Sequence, residues 1–216
     1  MSKYELVIFD WDGTLMDSSL RIVNCLQRAA EDLGLPIPTV NRARHIIGLN
    51  LQDSLTSLFG HLSKSHVDNY IERYRYHFYH PQADQMLMFD GVMDGLEELD
   101  RRGLLLAVAT GKGRQGLDPI LKEYSLEKVF VMTRCADESF GKPNPQMLFD
   151  ILEFTGHNPN QAVMVGDTSY DMEMAGNAGM HAIAVDYGMH DLDLLKQYNP
   201  TASFSGFPKL IDWLVN

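Results

Sequence analysis

The chain has 216 residues, a hydrophobic content of 45% and a formal net charge of −11. That length gives one sizeable core with room for a small second lobe, and the composition excludes fibrous and disordered classes. The acidic balance removes any general attraction for nucleic acid or an anionic membrane, so a site for a phosphate ester must supply local positive charge from Lys, Arg, helix N-termini or a metal.

The first element is the apolar run Leu6–Phe9, which follows Met1-Ser2-Lys3-Tyr4-Glu5. That opening is too short and too early charged for a signal peptide, and no stretch is long and apolar enough to span a bilayer. The two cysteines, Cys25 and Cys135, lie far apart without a Cys-x-x-Cys, which fits a reducing compartment and argues against a disulfide framework or thiolate zinc site. A cytoplasmic protein with no membrane or nucleic-acid partner is expected. Nothing in the sequence sets the oligomeric state, and a monomer is the simplest expectation.

Residues 18–33 place Ile22, Leu26, Ala29 and Leu33 on one helical stripe, closed by Gly34 and Pro36. From about Leu35 to Asp84 no buried strand is read, only helical pieces at 45–47, 51–59 and 67–79. Further apolar runs at 104–109, 129–132, 162–165 and 182–185 then alternate with helical segments at 92–102, 116–124, 145–155 and 171–178. Continuous apolar strands separated by helices are those of a parallel sheet covered on both faces. The expected fold is therefore α/β, a doubly wound parallel sheet with an inserted all-helical domain. Its expected boundaries are 1–16 and 86–216 for the core and 17–85 for the insertion.

The strand ends carry the polar clusters. The first strand leads into Asp10-Trp11-Asp12-Gly13-Thr14, the second into Thr110-Gly111-Lys112, and the strand from Ala162 into Gly166-Asp167-Thr168-Ser169-Tyr170-Asp171. Gly141-Lys142-Pro143 stands just before a helix. In an open parallel sheet, ligands bind beyond the carboxyl ends of the strands, so these clusters converge on one rim. If extended geometry continues past the first strand, Asp10 and Asp12 point to one face and Trp11 to the other. Two carboxylates about 4 Å apart repel by roughly 4 kcal/mol at an effective dielectric near 20. Adding Asp167 and Asp171 calls for a divalent cation, and an all-oxygen site with room for water suits Mg2+. Thr110, Lys142 and turn amides are then available to phosphate oxygens, leaving one carboxylate to attack phosphorus and another to shuttle a proton.

The Asp10–Thr14 run, the Thr110-Gly111 pair, Lys142 in its Gly-Lys-Pro setting and the 166–171 run together resemble the four ordered motifs of haloacid dehalogenase-type phosphatases. The likeness is nearest to their phosphoglycolate phosphatase-like branch and covers essentially the whole chain. It implies a Rossmann-like core with a helical cap, and an Mg2+-dependent phosphatase acting on a small phosphorylated metabolite. By the same resemblance, Asp10 matches the nucleophile that forms an aspartyl-phosphate, and Asp12 the general acid–base. Thr110 and Lys142 match phosphate-holding groups, with Trp11 and Gly111 beside them. Asp10, the Asp12 main-chain carbonyl and Asp167 match metal ligands, with Asp171 as a further acidic position. Residues 48–52 resemble the cap loop that faces the site.

Several other readings compete. The same core residues serve a sugar-phosphate mutase or a pyrophosphatase. The run 111–116 fits Gly-x-Gly-x-x-Gly, with Asp137 placed like a ribose-binding acid, which would suit a dinucleotide-binding oxidoreductase but leave Asp10 and Asp167 without a role. A non-catalytic binding module on this fold is the third. His77 and His80 read as surface residues, and the aromatic group Tyr70, Tyr74, Tyr76, Phe78 and Tyr79 reads as packing within the insertion.

Overall fold

The computed structural model describes residues 3–216; Met1 and Ser2, which the expected core includes, lie outside them. In chain order the elements are β1 (Leu6–Phe9), β2 (Met16–Asp17), α1 (Ser19–Asp32), α2 (Val40–His45), α3 (Leu51–Phe59), α4 (Lys64–Phe78), β3 (Leu87–Met88), α5 (Val92–Arg101) and β4 (Leu105–Thr110). They continue with α6 (Arg114–Glu123), β5 (Met132–Cys135), α7 (Gln146–Thr155), β6 (Ala162–Gly166), α8 (Ser169–Asn177), β7 (His181–Val185), α9 (Leu192–Leu195), β8 (Ala202–Phe204) and α10 (Phe207–Val215).

Among the described residues, six strands form one parallel sheet in the order β5-β4-β1-β6-β7-β8. β1 lies between β4 and β6, and side chains alternate across it. Val7 and Phe9 join one apolar layer with Leu96 of α5, Leu117 of α6 and Phe207 of α10. Leu6 and Ile8 join the other with Met147 and Ile151 of α7 and Met172 of α8. Both faces are covered, which is why the strands read as unbroken apolar runs. Methionines fill much of the second layer, as a flexible thioether suits irregular gaps.

The helices α1 to α4 form their own apolar cluster, with Leu26, Ala43, Leu55 and Tyr70 at its centre. The Tyr70 hydroxyl donates to the Leu26 carbonyl at 2.5 Å, tying α4 to α1. The chain enters this helical excursion through β2 and leaves it through β3, and the two pair antiparallel, Met16 with Met88 and Asp17 with Leu87.

Three sequence expectations shift. The strand expected at 129–132 is β5, three residues later, because Leu126 and Phe130 are buried on either side of a turn and anchor the approach to an edge strand. The helical piece expected at 45–47 ends there instead: Thr39 caps α2 by accepting the Arg42 N–H, and residues 46–49 are a turn. The strand β8 and the helix α10 were not expected, since Ala202–Phe204 offers no apolar run.

Ile8 is fully buried in the strand on which the sheet is centred. Replacing it with Ala should cost about 2–5 kcal/mol in a urea unfolding titration. A loss under about 1 kcal/mol would mean that this layer relaxes around the gap.

Candidate active site

β1 delivers Asp10 and Asp12 just beyond the sheet, and Gly13 then turns the chain. Gly13 has φ +88°, and any side chain there would run into Asp167, so both the backbone and the space call for glycine. β4 ends on Thr110, β6 leads into Asp167, and α8 carries Asp171 in its first turn.

Carboxylate oxygens of Asp10, Asp167 and Asp171 lie within 4.8 Å of one another, all buried. Lys142, from the loop before α7, reaches into this group. Its Nζ stands 2.8 Å from Asp10 Oδ1 and 2.6 Å from Asp171 Oδ1. The contact with Asp10 is an ion pair without hydrogen-bond alignment, and neither Asp10 oxygen has an aligned hydrogen bond among the described residues. Asp171 is engaged at both oxygens. Its Oδ2 accepts from the Thr168 N–H at 3.0 Å and the Thr168 hydroxyl at 2.7 Å, closing a capping box on α8. Asp167 accepts from the Thr14 hydroxyl at Oδ1 and from the Met189 N–H at Oδ2, each at 2.7 Å.

The electrostatics follow from burial. Desolvation pushes Asp10 up to about 7 against the pull of Lys142. Asp167 lies well above the ordinary carboxylate range, through burial first and then repulsion from Asp10 and Asp171. Burial opposes the Lys142 charge, but Asp10 and Asp171 outweigh it and hold the ammonium above the usual lysine value. Three carboxylates against one ammonium leave two negative charges when all are ionised, which a divalent cation cancels. Asp10 keeps its lone pairs and Asp167 keeps one on each oxygen, so the donor set fits a cation that takes oxygen ligands.

The Asp12 carboxylate stands apart from that group. Ser18, at the start of α1, donates to its Oδ1 at 2.6 Å, and Lys112 Nζ lies 3.0 Å from its Oδ2. The Trp11 side chain takes the face expected for it, opposite Asp10 and Asp12: the indole is fully buried in the apolar layer, edge-on to Phe130 with centroids 6.1 Å apart, so only its backbone is left for the rim. Alternation along the chain turns it away from the rim.

A cavity of about 600 Å³ lies between this rim and the helical insertion. Asp10, Asp12, Thr110 and Gly111 form its floor, and residues 48–52 with Tyr74, Phe78 and Tyr79 its other wall. Of the aromatic group read as packing, Tyr70 is buried in the insertion, whereas Tyr74, Phe78 and Tyr79 reach the cavity. The insertion sits tightly on the core. A side chain at Gly111 would run into the Gly48 carbonyl. The His45 carbonyl accepts from the Tyr170 hydroxyl at 3.0 Å and from His190 Nε2 at 3.0 Å. His190 Nδ1 accepts the Ser169 N–H at 3.0 Å, which sets its tautomer, and burial holds its pKa below the ordinary value. Arg44 donates to the Gly188 carbonyl at 2.7 Å.

The glycine-rich run at 111–116 lends residues to the cavity wall and is engaged by its neighbours. Gly111 is pressed against the insertion, Lys112 is paired with Asp12, and Asp137 accepts the Arg114 N–H at the start of α6, at 3.0 and 3.1 Å to its two oxygens. His77 pairs with Asp32 at 2.7 Å. Ser18, Lys112 and Met189 were missed in the sequence. Lys112 belongs to the strand-end cluster and had a signal; Met189 acts through its backbone and had none.

The family described as haloacid dehalogenase-like hydrolase matches residues 7–185. The chain is 34% identical over 211 residues to "Probable phosphatase IndB" of Dickeya dadantii, covering 95% of this chain and 91% of that one. It is 29% identical over 220 residues to a phosphoglycolate phosphatase of Psychrobacter arcticus, covering 98% and 96%. A solved hydrolase from Pseudomonas syringae shares the fold with a TM-score of 0.88 at 23% identity, covering 96% of each chain.

In the metal-free protein the native state holds the Asp10 proton up to about 7, whereas an unfolded aspartate releases it near 3.8. The native state therefore binds more protons in that window, and stability falls as pH rises through it. Asp10→Asn cannot ionise and should flatten this slope in chelator-treated unfolding titrations between about pH 4 and pH 7. A slope identical in wild type and variant would rule out buried Asp10 as its source.

Proposed function

Because this chain belongs to the haloacid dehalogenase-like hydrolase family, we propose that it is a phosphatase that hydrolyses a small phosphate monoester through an aspartyl-phosphate on Asp10. The observation that carries this reading is the Asp10 carboxylate itself, buried at a strand end, paired to Lys142 and without an aligned hydrogen bond among the described residues. A nucleophile must keep a lone pair free, and a structural aspartate at this depth would have its oxygens bonded.

In the proposed reaction, Lys142 and Thr110 hold the transferring phosphoryl group while the Asp10 oxygen away from Lys142 attacks phosphorus. Asp12 protonates the leaving oxygen and then takes a proton from the water that attacks the aspartyl-phosphate. Asp10, the Asp12 main-chain carbonyl and Asp167 would hold Mg2+, whose charge offsets that of the phosphate when bound. Asp171 acts from behind, fixing Lys142. The division into a core of 1–16 and 86–216 and a cap of 17–85 is part of the proposal. Its support is the separate apolar cluster of α1 to α4 and their docking over the rim.

The test is phosphate release from a panel of small esters, with sugar phosphates and pyrophosphate included, with and without Mg2+. Asp10→Asn should cut turnover by about 10⁴-fold or more while the fold persists. Substantial remaining activity would remove Asp10 as nucleophile. Asp167→Ala should raise the Mg2+ needed for half activation by more than the roughly 10–100-fold lost with an outer-shell partner. An unchanged Mg2+ requirement would take Asp167 out of the ligand set.

A further inference from the structure

Met189 belongs to two neighbourhoods at once. Its N–H donates to Asp167 Oδ2 at 2.7 Å, while its buried side chain joins the apolar cluster of α1 to α4. The residues on either side of it reach α2. The Gly188 carbonyl accepts from the Arg44 guanidinium at 2.7 Å, and His190 Nε2 donates to the His45 carbonyl at 3.0 Å. One residue earlier, the Tyr187 hydroxyl donates to the Thr14 carbonyl at 3.0 Å, and the Thr14 hydroxyl donates to Asp167 Oδ1 at 2.7 Å. Tyr187 also packs on Phe89, where the chain leaves β3, with ring centroids 4.7 Å apart.

Both donors that orient the Asp167 carboxylate therefore stand on segments continuous with the helical insertion or bonded to it. Thr14 comes two residues before β2, through which the chain enters the insertion, and Met189 lies between the two residues that α2 holds. The space leaves little play. A side chain at Gly188 would run into Asp167, as one at Gly13 would, so the carboxylate lies between two backbones. A shift of the 187–190 segment takes the Met189 N–H with it. A carboxylate that has lost one of two donors turns freely about its last bond, because that torsion is broad. Among the described residues the Arg44 side chain makes no other hydrogen bond and no ion pair. Its one polar contact is the bond that seats α2 on this segment.

We propose that Arg44 is a positioning residue for Asp167: acting through the 187–190 segment, its bond to Gly188 sets the affinity of the acid cluster for a divalent cation. This rests on the assignment of Asp167 as a metal ligand in the proposed function. A hydrogen bond from an outer-shell partner fixes the orientation of a ligand and is worth roughly 10–100-fold in metal affinity. Arg44 acts one step further out, on the residue next to the one that makes that bond, so its effect is smaller. Such coupling is reciprocal. If the cation binds better when α2 is seated, the bound cation must favour seating by the same factor. Metal loading and the placement of the cavity wall are then one equilibrium, although Arg44 touches neither the acid cluster nor the substrate.

The test is calorimetric titration of the chelator-treated full chain with Mg2+ alone, which needs no ester. Arg44→Met should raise the Kd by about fivefold or more, the lower end of ordinary coupling between sites, and Arg44→Lys should restore part of the loss. Arg42→Met is the matched control. Arg42 lies on the same helix and donates to a carbonyl at the same 2.7 Å, but that carbonyl belongs to Leu58 within the insertion, so the Kd should stay at the wild-type value. A second measurement needs no variant: saturating Mg2+ should slow amide hydrogen exchange in α2 of the wild type. A Kd unchanged in Arg44→Met, or raised equally in Arg42→Met, would make the Gly188 bond merely structural and overturn the proposal. So would exchange in α2 that ignores Mg2+. If wild type binds no Mg2+ at all, the ligand reading of Asp167 falls and takes this proposal with it, a result distinct from binding that Arg44 leaves untouched.

Discussion

The site depends on bringing three carboxylates out of water around one ammonium. Each of Asp10, Asp167 and Asp171 is buried, and Lys142 is as deep as they are. A lone buried charge is untenable, and a pair is tolerated only when its remaining lone pairs and protons find partners. The chain meets this demand unequally. Asp171 is bonded at both oxygens and Asp167 once at each, while Asp10 has the ion pair alone. The unmet demand is concentrated on one atom group, the carboxylate to which the proposed reaction gives the attack on phosphorus. The same inequality explains the elevated proton affinity of Asp10 and Asp167 when no cation shares the site.

The neighbouring elements extend this arrangement outward. The loop carrying Gly188, Met189 and His190 touches Asp167 through the Met189 N–H and touches α2 through the Gly188 carbonyl and His190. One short segment thus bridges the acid cluster and the helical insertion. Gly48 and Gly111 bring the two backbones together across the cavity, where side chains would hold them apart. The insertion is therefore registered on the rim by backbone groups as much as by side chains, and the cavity has a defined wall opposite Asp10 and Asp12.

Much of this was legible in the sequence because the information is local. An apolar run followed by Asp-x-Asp-Gly at a strand end fixes a place, a face and a turn together, and four such clusters in order leave few folds open. The sheet was readable for the same reason, since strands buried on both faces cannot alternate. What escaped was information carried by distance in space. β5 starts later than its apolar run because Leu126 and Phe130 bury the two ends of a turn and not a strand. The bond from Met189 to Asp167 has no sequence signature, because any residue but proline supplies an N–H. Lys112 had a signal and was passed over, since a lysine after a strand is usually a solvated one and only packing under Phe78 makes it otherwise.

The pairing of β2 with β3 has a consequence beyond the site. Because these two-residue strands lie side by side, the excursion of helices leaves the core and returns to it at nearly the same point, a strand spacing of about 5 Å apart. Along the chain the core sheet therefore meets the excursion as a closed ribbon, and the rest of their contact is the docking across the cavity. A longer, shorter or differently folded segment can be spliced onto the ribbon without altering the register of a single core strand. The strands that carry the acid cluster and its lysine would keep their places, while the wall that faces them is exchanged and the 188–190 segment finds new partners. In such a chain the chemistry and the choice of substrate are free to evolve at separate rates.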